Sequence, residues 1–419
     1  TYTLEMSERR ITYLNSITYL LNNFPCVVLL GARQVGKTTL LKSVKPEAPF
    51  FDLEKQTDFY QVSSDPDFFL ETQQAIHPNE TLVIDEAQLV PTLFSALRVA
   101  IDKDRSRSGQ FLLSGSSSPE LTRQISETLA GRIAIVQVSG FNLEEFFKRS
   151  PSPFFNTVES GDPTGFLKLQ RRYTLEELLE SCLIGAYPEP VIKRNDSKFV
   201  ALWMENYFET YIKRDVRELF PGIQATTYQR FIQLLSYSSG QILNASNFAR
   251  TIEVSQPTIK SYLRIAEGTF LWRNLESFDR NVTKRVSKMP KGHLRDSGLL
   301  NFFLKNRSTS SLSKHPQIGN IWESFIIEQL LSGFAQRLIS IKSFYYRTHN
   351  HAEIDLILEG DFGLLPIEIK FGTITEPKRL SALETFIKEH NLPYGLVINN
   401  GERVEWLKPR ILQVPANYF

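Results

Sequence analysis

A glycine-rich segment follows directly on an apolar run near the start of the chain. The run CVVLL at residues 26–30 has the composition of a buried parallel strand. The segment GARQVGKTT that follows fits the spacing G-x-x-x-x-G-K-[ST] with Gly31, Gly36, Lys37 and Thr38. Glycines let a backbone wrap around a phosphate, and amide groups at the start of a helix attract its negative charge. This segment therefore predicts a nucleotide-binding P-loop between a strand and a helix.

The residues of the P-loop have distinct expected roles. The set expected to contact nucleotide is Gly31, Ala32, Arg33, Gln34, Val35, Gly36, Lys37, Thr38 and Thr39. Lys37 is expected to reach the β and γ phosphates, and the Thr38 hydroxyl to bind Mg²⁺. Because no guanine-reading N-K-x-D motif follows, ATP with Mg²⁺ is the expected cofactor.

Two later apolar runs end in residues suited to hydrolysis. TLVIDEAQ ends in Asp85, expected to hold the Mg²⁺ water shell, and Glu86, placed as a general base for water attack. QFLLSGSSS ends in hydroxyls, with Ser114 placed to orient the water or to sense the γ phosphate. Five strand-like runs that alternate with helices predict a doubly wound α/β domain, with its ligand at the carboxyl ends of the strands.

The segment SPELTRQISETLAGR is predicted to form a helix that ends at Arg132, before a last strand at 133–140. The residues alone leave two roles open for Arg132. A cation at a helix end stabilises that end. An arginine finger instead reaches the γ phosphate bound to a neighbouring subunit.

The middle of the chain is predicted to be helical and then basic. Apolar residues recur at helical spacing before residue 220, which predicts a helical lid. The segment 240–272 predicts a helix at 245–251, a turn, a second helix capped by Ser255 and an extended pair, which is a winged helix-turn-helix. Such domains bind DNA or act as protein–protein modules. The cations expected to contact DNA are Lys260, Arg264, Arg280, Lys284, Arg285, Lys288 and Lys291.

Composition restricts the possible partners. The formal net charge is only +2, so nucleic-acid binding has to come from a local patch. The stretch 280–295 is such a patch, with six basic residues and no acid. Two cysteines, Cys26 and Cys182, fit a reducing compartment rather than a disulfide scaffold. No apolar stretch approaches the roughly 18 residues needed to cross a bilayer, so a cytoplasmic protein without a membrane partner is expected.

The last third of the chain predicts a set of carboxylates with one lysine. The order is Glu323 on a helix, Asp355 on a strand, a hairpin-like turn, and LLPIEIK, in which Glu368 and Lys370 face the same side of the next strand. Asp355 and Glu368 could share one or two Mg²⁺ or Mn²⁺ ions that activate water, and Glu323 could hold metal through a water molecule. Lys370 could orient the nucleophile or neutralise charge in the transition state. The alternative is a pair of ordinary strands with acids that face solvent.

The motifs, taken in order, resemble those of the prokaryotic P-loop ATPases of the AAA_14/DUF4143 type, an extended AAA+ group. They are GARQVGKTTL, LVIDEAQ, LLSGSSS, LAGRI, GAYPEPV, YIKRDVREL, PKGHLRDSGLL, WESFIIEQL, EIDLIL and LLPIEIK, and they cover nearly the whole chain. The resemblance implies an ATPase core (1–147), a helical lid (148–227), a winged helix (228–290) and a PD-(D/E)xK endonuclease-like domain (291–419). Members usually read near K-x-P-K-x-Y-F-x-D-T-G, whereas this chain has KMPKGHLRDSG.

The same resemblance implies residue roles. Lys37, Thr38, Asp85 and Glu86 would carry the nucleotide and Mg²⁺ chemistry. Ser114 would be the sensor and Arg132 the finger of a homo-oligomer, such as a hexameric ring. The predicted function is a Mg²⁺-dependent ATPase that binds DNA and couples hydrolysis to its remodelling or translocation, with a metal-dependent nuclease at the C-terminus. The rival prediction is a nucleotide-switched oligomeric scaffold or regulatory protein whose nuclease-like domain only binds a partner.

Overall fold

The computed structural model describes residues 2–116, 125, 127–211, 216, 220, 222–279, 290–348, 352–373 and 380–419. The chain divides into two compact units. Unit 1 comprises Thr1–Phe141, Arg264–Phe270 and Ala335–Leu338. Unit 2 comprises Asn142–Leu263, Leu271–Phe334 and Ile339–Phe419.

Within the described residues, the core of unit 1 is a five-stranded parallel sheet. Its strands are β1 (Cys26–Gly31), β2 (Phe50–Asp52), β3 (Leu82–Asp85), β4 (Phe111–Ser116) and β5 (Ile133–Val138), in the order β2-β3-β4-β1-β5. The helices described in this unit are α1 (Tyr2–Arg9), α2 (Ile11–Asn23), α3 (Lys37–Val44), α4 (Gln56–Ser63), α5 (Pro66–Ile76) and α6 (Leu93–Lys103). β1 and β3 are buried along their whole length, as expected for a parallel sheet covered on both faces. The predicted α/β core is confirmed.

Unit 2 is mostly helical before residue 270. Its described helices are α7 (Leu143–Phe146), α8 (Phe154–Ser160), α9 (Leu175–Ile184), α10 (Pro188–Ile192), α11 (Ser197–Thr210), α12 (Ala225–Tyr237), α13 (Ala245–Ile252), α14 (Gln256–Gly268), α15 (Ser297–Phe303), α16 (Thr309–Ser313), α17 (Ile318–Gln336) and α18 (Ser381–Glu389). The last residues of α14 and α17 belong to unit 1. Among all helices that the structure describes, none is both long and apolar enough to cross a bilayer.

The described strands of unit 2 form one mixed sheet. They are β6 (Gln241–Ile242), β7 (Trp272–Ser277), β8 (Lys291–Leu294), β9 (Ile341–Arg347), β10 (Glu353–Gly360), β11 (Gly363–Ile369), β12 (Gly395–Ile398), β13 (Glu405–Lys408) and β14 (Ile411–Gln413). Their order is β13-β14-β12-β11-β10-β9-β7-β8-β6. The sheet runs across the expected boundary at 290/291, because β7 pairs with both β8 and β9. The four-domain division itself stays a prediction.

The elements at the predicted helix-turn-helix occur in the expected order. α12, β6, α13 and α14 are followed by the antiparallel pair β7 and β8, and β6 also pairs antiparallel with β8. The predicted cap is present, since Ser255 Oγ accepts the Thr258 N–H at 3.2 Å. Assignment of this segment to the winged-helix class stays a prediction.

The C-terminal elements also follow the predicted order. α17 carries Glu323, and β10 and β11 form an antiparallel hairpin that closes at Gly360 and Gly363. β11 then pairs in parallel with β12, with α18 between them in sequence. The elements agree with the expected α/β unit, and its relation to the endonuclease-like fold stays a prediction.

The RDSGLL and GAYPEP motifs pack against each other, which explains their residue types structurally. Asp296, from RDSGLL, caps α15 by accepting the Leu299 N–H at 2.7 Å, and it also accepts the Ala186 N–H of GAYPEP at 2.8 Å. Burial raises the Asp296 pKa to about 6, against these backbone hydrogen bonds. A Cβ on Gly298 would lie 2.1 Å from the Ile184 carbonyl oxygen. Glycine is therefore required there by close backbone approach.

We expect Gly298→Ala to destabilise unit 2 by about 2 kcal/mol or more, because rigid backbone would have to move to admit the methyl group. Chemical denaturation measures the free energy of unfolding. Gly319→Ala is the matched control, since a Cβ there meets nothing within 4 Å, and its effect should stay within about 0.5 kcal/mol. Equal stability of the two variants would contradict this interpretation.

Candidate functional site

The P-loop of unit 1 connects β1 to α3, and its two motif glycines meet two different requirements. Gly36 precedes α3 with a φ of 93°, in the left-handed region that glycine adopts freely. Gly31 lies where β1 meets β5, and a Cβ on it would lie 2.3 Å from the Val138 carbonyl oxygen. The turn after β1 therefore depends on backbone conformations and contacts that a larger residue would prevent.

Lys37 lies against the loop that contains it. Its Nζ donates to the carbonyl oxygens of Gly31 at 3.3 Å and Ala32 at 3.1 Å, and lies 3.9 Å from Glu86 Oε1. Only 4% of the Lys37 side chain is exposed, so this charge meets little competing water. The ammonium is thus held at the P-loop, beside the acid predicted to activate water.

Asp85 at the end of β3 is linked by hydroxyl groups to β4, through Ser114, and to the P-loop, through Thr38. Ser114 Oγ donates a short hydrogen bond to Asp85, and the Thr38 hydroxyl also hydrogen-bonds to this carboxylate. Burial raises the Asp85 pKa, and these two hydrogen bonds oppose that rise. A buried carboxylate next to a threonine hydroxyl is the oxygen donor set that Mg²⁺ prefers. Thr38 and Asp85 therefore fit the magnesium ion that the P-loop implies.

Glu86 adopts an unusual backbone conformation directly after Asp85. Its φ of 55° is in the left-handed region, which costs a non-glycine residue of order 1 kcal/mol. Its N–H donates to Ser114 Oγ at 3.1 Å, so Ser114 contacts both acids. Gln88 Nε2 donates to Glu86 Oε2 at 2.5 Å. Gln88 was missed from sequence, although its position two residues after Glu86 was a usable signal.

Arg132 forms a two-pronged ion pair within unit 1. Its Nε and Nη2 donate to the two carboxylate oxygens of Asp102, on α6, at 2.8 Å each. Hydrogen bonding to Arg132 lowers the pKa of Asp102. The role of Arg132 as an arginine finger stays a prediction, and residues 118–124 and 126 of the expected helix before it lie outside the described residues.

Arg10, between α1 and α2, was missed from sequence. It is only 1% exposed, and its Nη2 donates to the carbonyl oxygens of Val35 at 2.8 Å and Ser139 at 2.9 Å. Its guanidinium carbon lies 4.7 Å from the centroid of the Phe141 ring. A buried guanidinium that binds two carbonyl groups in this way ties the P-loop to the segment after β5. Arg10 is thus a positioning residue for the nucleotide site.

We expect Arg10→Met to weaken ATP binding about tenfold and to destabilise unit 1 by about 2 kcal/mol, because two buried carbonyl groups would lose their donor. Calorimetric titration with ATP and thermal unfolding measure the two effects. The matched control is Arg107→Met, whose Nη2 donates to the Glu80 carbonyl oxygen at 2.8 Å near the surface. If both variants bind ATP like the unmodified protein, Arg10 does not position the loop.

The structure brings together the four residues predicted from the C-terminal third. Glu323, Asp355 and Glu368 are each less than 10% exposed. Lys370 Nζ lies 2.7 Å from Glu368 Oε1 and 3.3 Å from Asp355 Oδ2. The Ile369 N–H donates to the same Asp355 oxygen at 2.8 Å. These acids are buried, so the alternative of solvent-facing acids on ordinary strands is wrong.

The surroundings of Lys291 contradict the expectation that this residue contacts DNA. It was expected on an exposed cationic loop, but its side chain is only 5% exposed and lies among acids. Lys291 Nζ is 2.7 Å from Glu323 Oε1, 2.7 Å from Glu353 Oε1 and 3.8 Å from Asp355 Oδ1. Glu353 was missed from sequence, although it lies two residues before Asp355 on the same face of β10. We call Lys291, Glu323, Glu353, Asp355, Glu368 and Lys370 the carboxylate–lysine cluster.

The charged groups of this cluster shift one another's pKa values. Burial, and then the charge of Asp355, raise the pKa values of Glu323 and Glu368 to about 8. Burial disfavours the charged form of Lys291, but Glu323 and Asp355 outweigh it and raise its pKa. In the described part of the chain, no group of three or more acidic, histidine or cysteine side chains has an arrangement suited to a metal ion. Lys291 and Lys370 already pair with the acids that were predicted to hold metal, so the cluster does not fit a metal ion as it stands.

Of the remaining residues predicted to contact DNA, some are described by the structure and some are not. Lys260 and Arg264 lie on α14 and are exposed. Arg280, Lys284, Arg285 and Lys288 lie outside the described residues. His293, at the position of the tyrosine in the pattern that the resemblance implies, is 1% exposed, and its Nε2 lies 2.9 Å from Glu328 Oε1. The departure from the usual pattern is therefore accommodated by a buried polar contact.

Three family models match the chain. An AAA domain matches residues 23–147, a domain of unknown function (DUF8612) matches 175–310, and a second (DUF4143) matches 318–419. Among solved structures, the Walker-type ATPase of Pyrococcus abyssi has a TM-score of 0.41 at 15% identity, over 70% of this chain and 95% of that one. The RuvB Holliday junction branch migration motor of Thermotoga maritima has a TM-score of 0.27 at 15% identity, over 64% and 88%. Structural similarities this distant do not define a function.

Sequence relatives cover almost the full chain. An uncharacterized protein of Mycobacterium tuberculosis is 30% identical over 399 residues, which is 95% of this chain and 81% of that protein. An uncharacterized protein of Methanocaldococcus jannaschii is 23% identical over 393 residues, 90% of this chain and 83% of that protein. The chain therefore belongs to the family of the mycobacterial protein, and its N-terminal part is an AAA-type P-loop ATPase domain.

Proposed function

We propose that this protein is a Mg²⁺-dependent ATPase that works on DNA. The observation that supports it best is the connected set of contacts in which Ser114 joins Asp85 to Glu86, with Lys37 close to Glu86 and Thr38 hydrogen-bonded to Asp85. These five residues supply a phosphate-binding cation, magnesium ligands and a general base. ATP hydrolysis requires all three functions.

Each residue then has a defined task. Lys37 would move from the loop carbonyl groups to the β and γ phosphates. Thr38 and Asp85 would hold Mg²⁺, which neutralises phosphate charge. Glu86 would accept a proton from the attacking water, which requires it to release Gln88. Ser114 would hold Asp85 and Glu86 in their relative positions when nucleotide binds.

We expect Glu86→Gln to lower the ATP turnover number by about 100-fold or more while ATP remains bound, because the base is lost and the phosphate contacts are kept. Steady-state hydrolysis and retention of labelled ATP measure these effects. Glu71→Gln, at an exposed ion pair with Lys103, is the matched control and should hydrolyse normally. Full turnover in Glu86→Gln would show that another group is the base.

The DNA part of the proposal rests on positive charge along one segment. Lys260 and Arg264 are exposed one helical turn apart on α14, and the sequence adds four basic residues between 280 and 288. Cations at this spacing face the same side of a helix, as phosphate contacts require. The net charge of the whole chain is only +2, so nucleic-acid binding requires a local basic segment such as this one.

We expect duplex DNA to stimulate ATP hydrolysis at low salt, and the paired change Lys260→Ala with Arg264→Ala to weaken DNA binding and reduce its salt dependence, because two phosphate contacts disappear. Fluorescence anisotropy at several salt concentrations measures both. Lys314→Ala, another exposed lysine, is the control. DNA that neither binds nor alters the hydrolysis rate would remove DNA from the proposal.

The proposal includes a homo-oligomer, such as a hexameric ring, in which Arg132 acts on a neighbour's nucleotide. Arg132 would have to exchange Asp102 for the γ phosphate of that neighbour. A two-pronged guanidinium contact suits either a carboxylate or a phosphate, which makes such an exchange chemically reasonable.

A second candidate function is favoured by the carboxylate–lysine cluster. In it, the C-terminal domain binds a partner without cutting DNA, and nucleotide binding switches the scaffold. Lys291 among the acids supports this candidate over the predicted metal-dependent nuclease. Nicking of DNA in Mg²⁺ or Mn²⁺ that is lost in Asp355→Ala, with ATP hydrolysis intact, would favour the nuclease instead.

A further inference from the structure

The position of Lys291 is fixed by the sheet and not only by its charge. β8 lies between β6 and β7, and Lys291 is opposite Ile242 on one side and Leu275 on the other. Strand pairing on both edges holds the backbone of Lys291, so its side chain enters the cluster from a rigid element. The Lys291 side chain is also only 5% exposed, so it lies among its carboxylate partners with little contact to water.

Ammonium groups contact all three acids that were predicted to hold metal. Lys291 Nζ is 2.7 Å from Glu323, and Lys370 Nζ is 2.7 Å from Glu368 and 3.3 Å from Asp355. On the outer side, Arg347 Nε lies 4.0 Å from Glu353 Oε2. The two distances of 2.7 Å are those of charge-assisted hydrogen bonds between nitrogen and oxygen.

A divalent cation and these ammonium groups compete for the same space. Mg²⁺ binds oxygen at about 2.0–2.1 Å and demands a nearly regular octahedron of oxygens. Lys291 Nζ lies 2.7 Å from Glu323 and from Glu353 and 3.8 Å from Asp355, and it brings three N–H donors of its own. A metal placed there would also be repelled by the positive charge of Lys291 at close range.

We propose that the Lys291 ammonium takes the place of a divalent cation in the carboxylate–lysine cluster, so that the C-terminal domain keeps its acids together with lysine rather than with metal. The cluster then joins β8, α17, β10 and β11 of unit 2 through charge. Hydrolysis of a phosphodiester by a metal-activated water has no place in such a domain. Removal of Lys291 should leave an acidic cavity that accepts a metal ion.

The test is a Mn²⁺ titration of the full chain without nucleotide, in which EPR measures free Mn²⁺. When Lys291 is present, we expect Asp355→Asn to cause no loss of Mn²⁺ binding. Lys291→Met should bind Mn²⁺ about 10-fold more tightly or better, and adding Asp355→Asn should reverse that gain. Mn²⁺ should also raise the melting temperature of Lys291→Met more than that of Lys314→Met, a change at an exposed lysine.

Two results would overturn the proposal. One is Mn²⁺ binding by the unmodified protein that depends on Asp355. The other is a folded Lys291→Met that gains no Mn²⁺. Lys291→Arg retains the charge and should remain without metal. If Lys291→Met fails to fold, Lys291→Gln replaces it, and the titration of the unmodified protein decides in either case.

Discussion

The parallel pairing of β1 between β4 and β5 is the constraint on which the nucleotide site depends. It places Leu29 opposite Ser114, so that the hydroxyl lies at the carboxyl edge where β1 enters the P-loop. It also brings β5 so close to Gly31 that no side chain fits. From that edge Ser114 reaches both Asp85 and Glu86, which follow on β3. The chemistry of the site is therefore a consequence of strand order as much as of the motif.

The two units stabilise buried acids in different ways. In unit 1, the neutral hydroxyl groups of Ser114 and Thr38 hydrogen-bond to Asp85. In unit 2, the charges of Lys291 and Lys370 lie directly beside the carboxylates. Burying a charge without a partner costs several kcal/mol, so each acid needs one of these solutions. Hydrogen bonds from neutral hydroxyl groups suit a site that binds a charged ligand. Ion pairs with lysine suit a rigid connection between secondary-structure elements.

Much of the fold could be predicted because local patterns agreed with the final structure. Apolar runs gave β1, β3 and β4, and Ser255 marked the start of α14. The grouping of Glu323, Asp355 and Glu368 also followed, since periodicity and order were enough. The positions of Lys291 and Arg10 could not be predicted. Both are basic residues, which are usually exposed, and nothing in the neighbouring sequence predicts otherwise. They are buried because distant segments of the chain pack around them.

The P-loop, the two acids that serve it and the C-terminal set of carboxylates could be read from the sequence, because they depend on residue type at short spacing. Tertiary structure alone decided which charges meet. Lys291 lies 32 positions before Glu323 and 62 before Glu353, yet its ammonium lies 2.7 Å from both carboxylates. Contacts over such separations are set by strand order and by the cost of burying charge, and no local pattern records them.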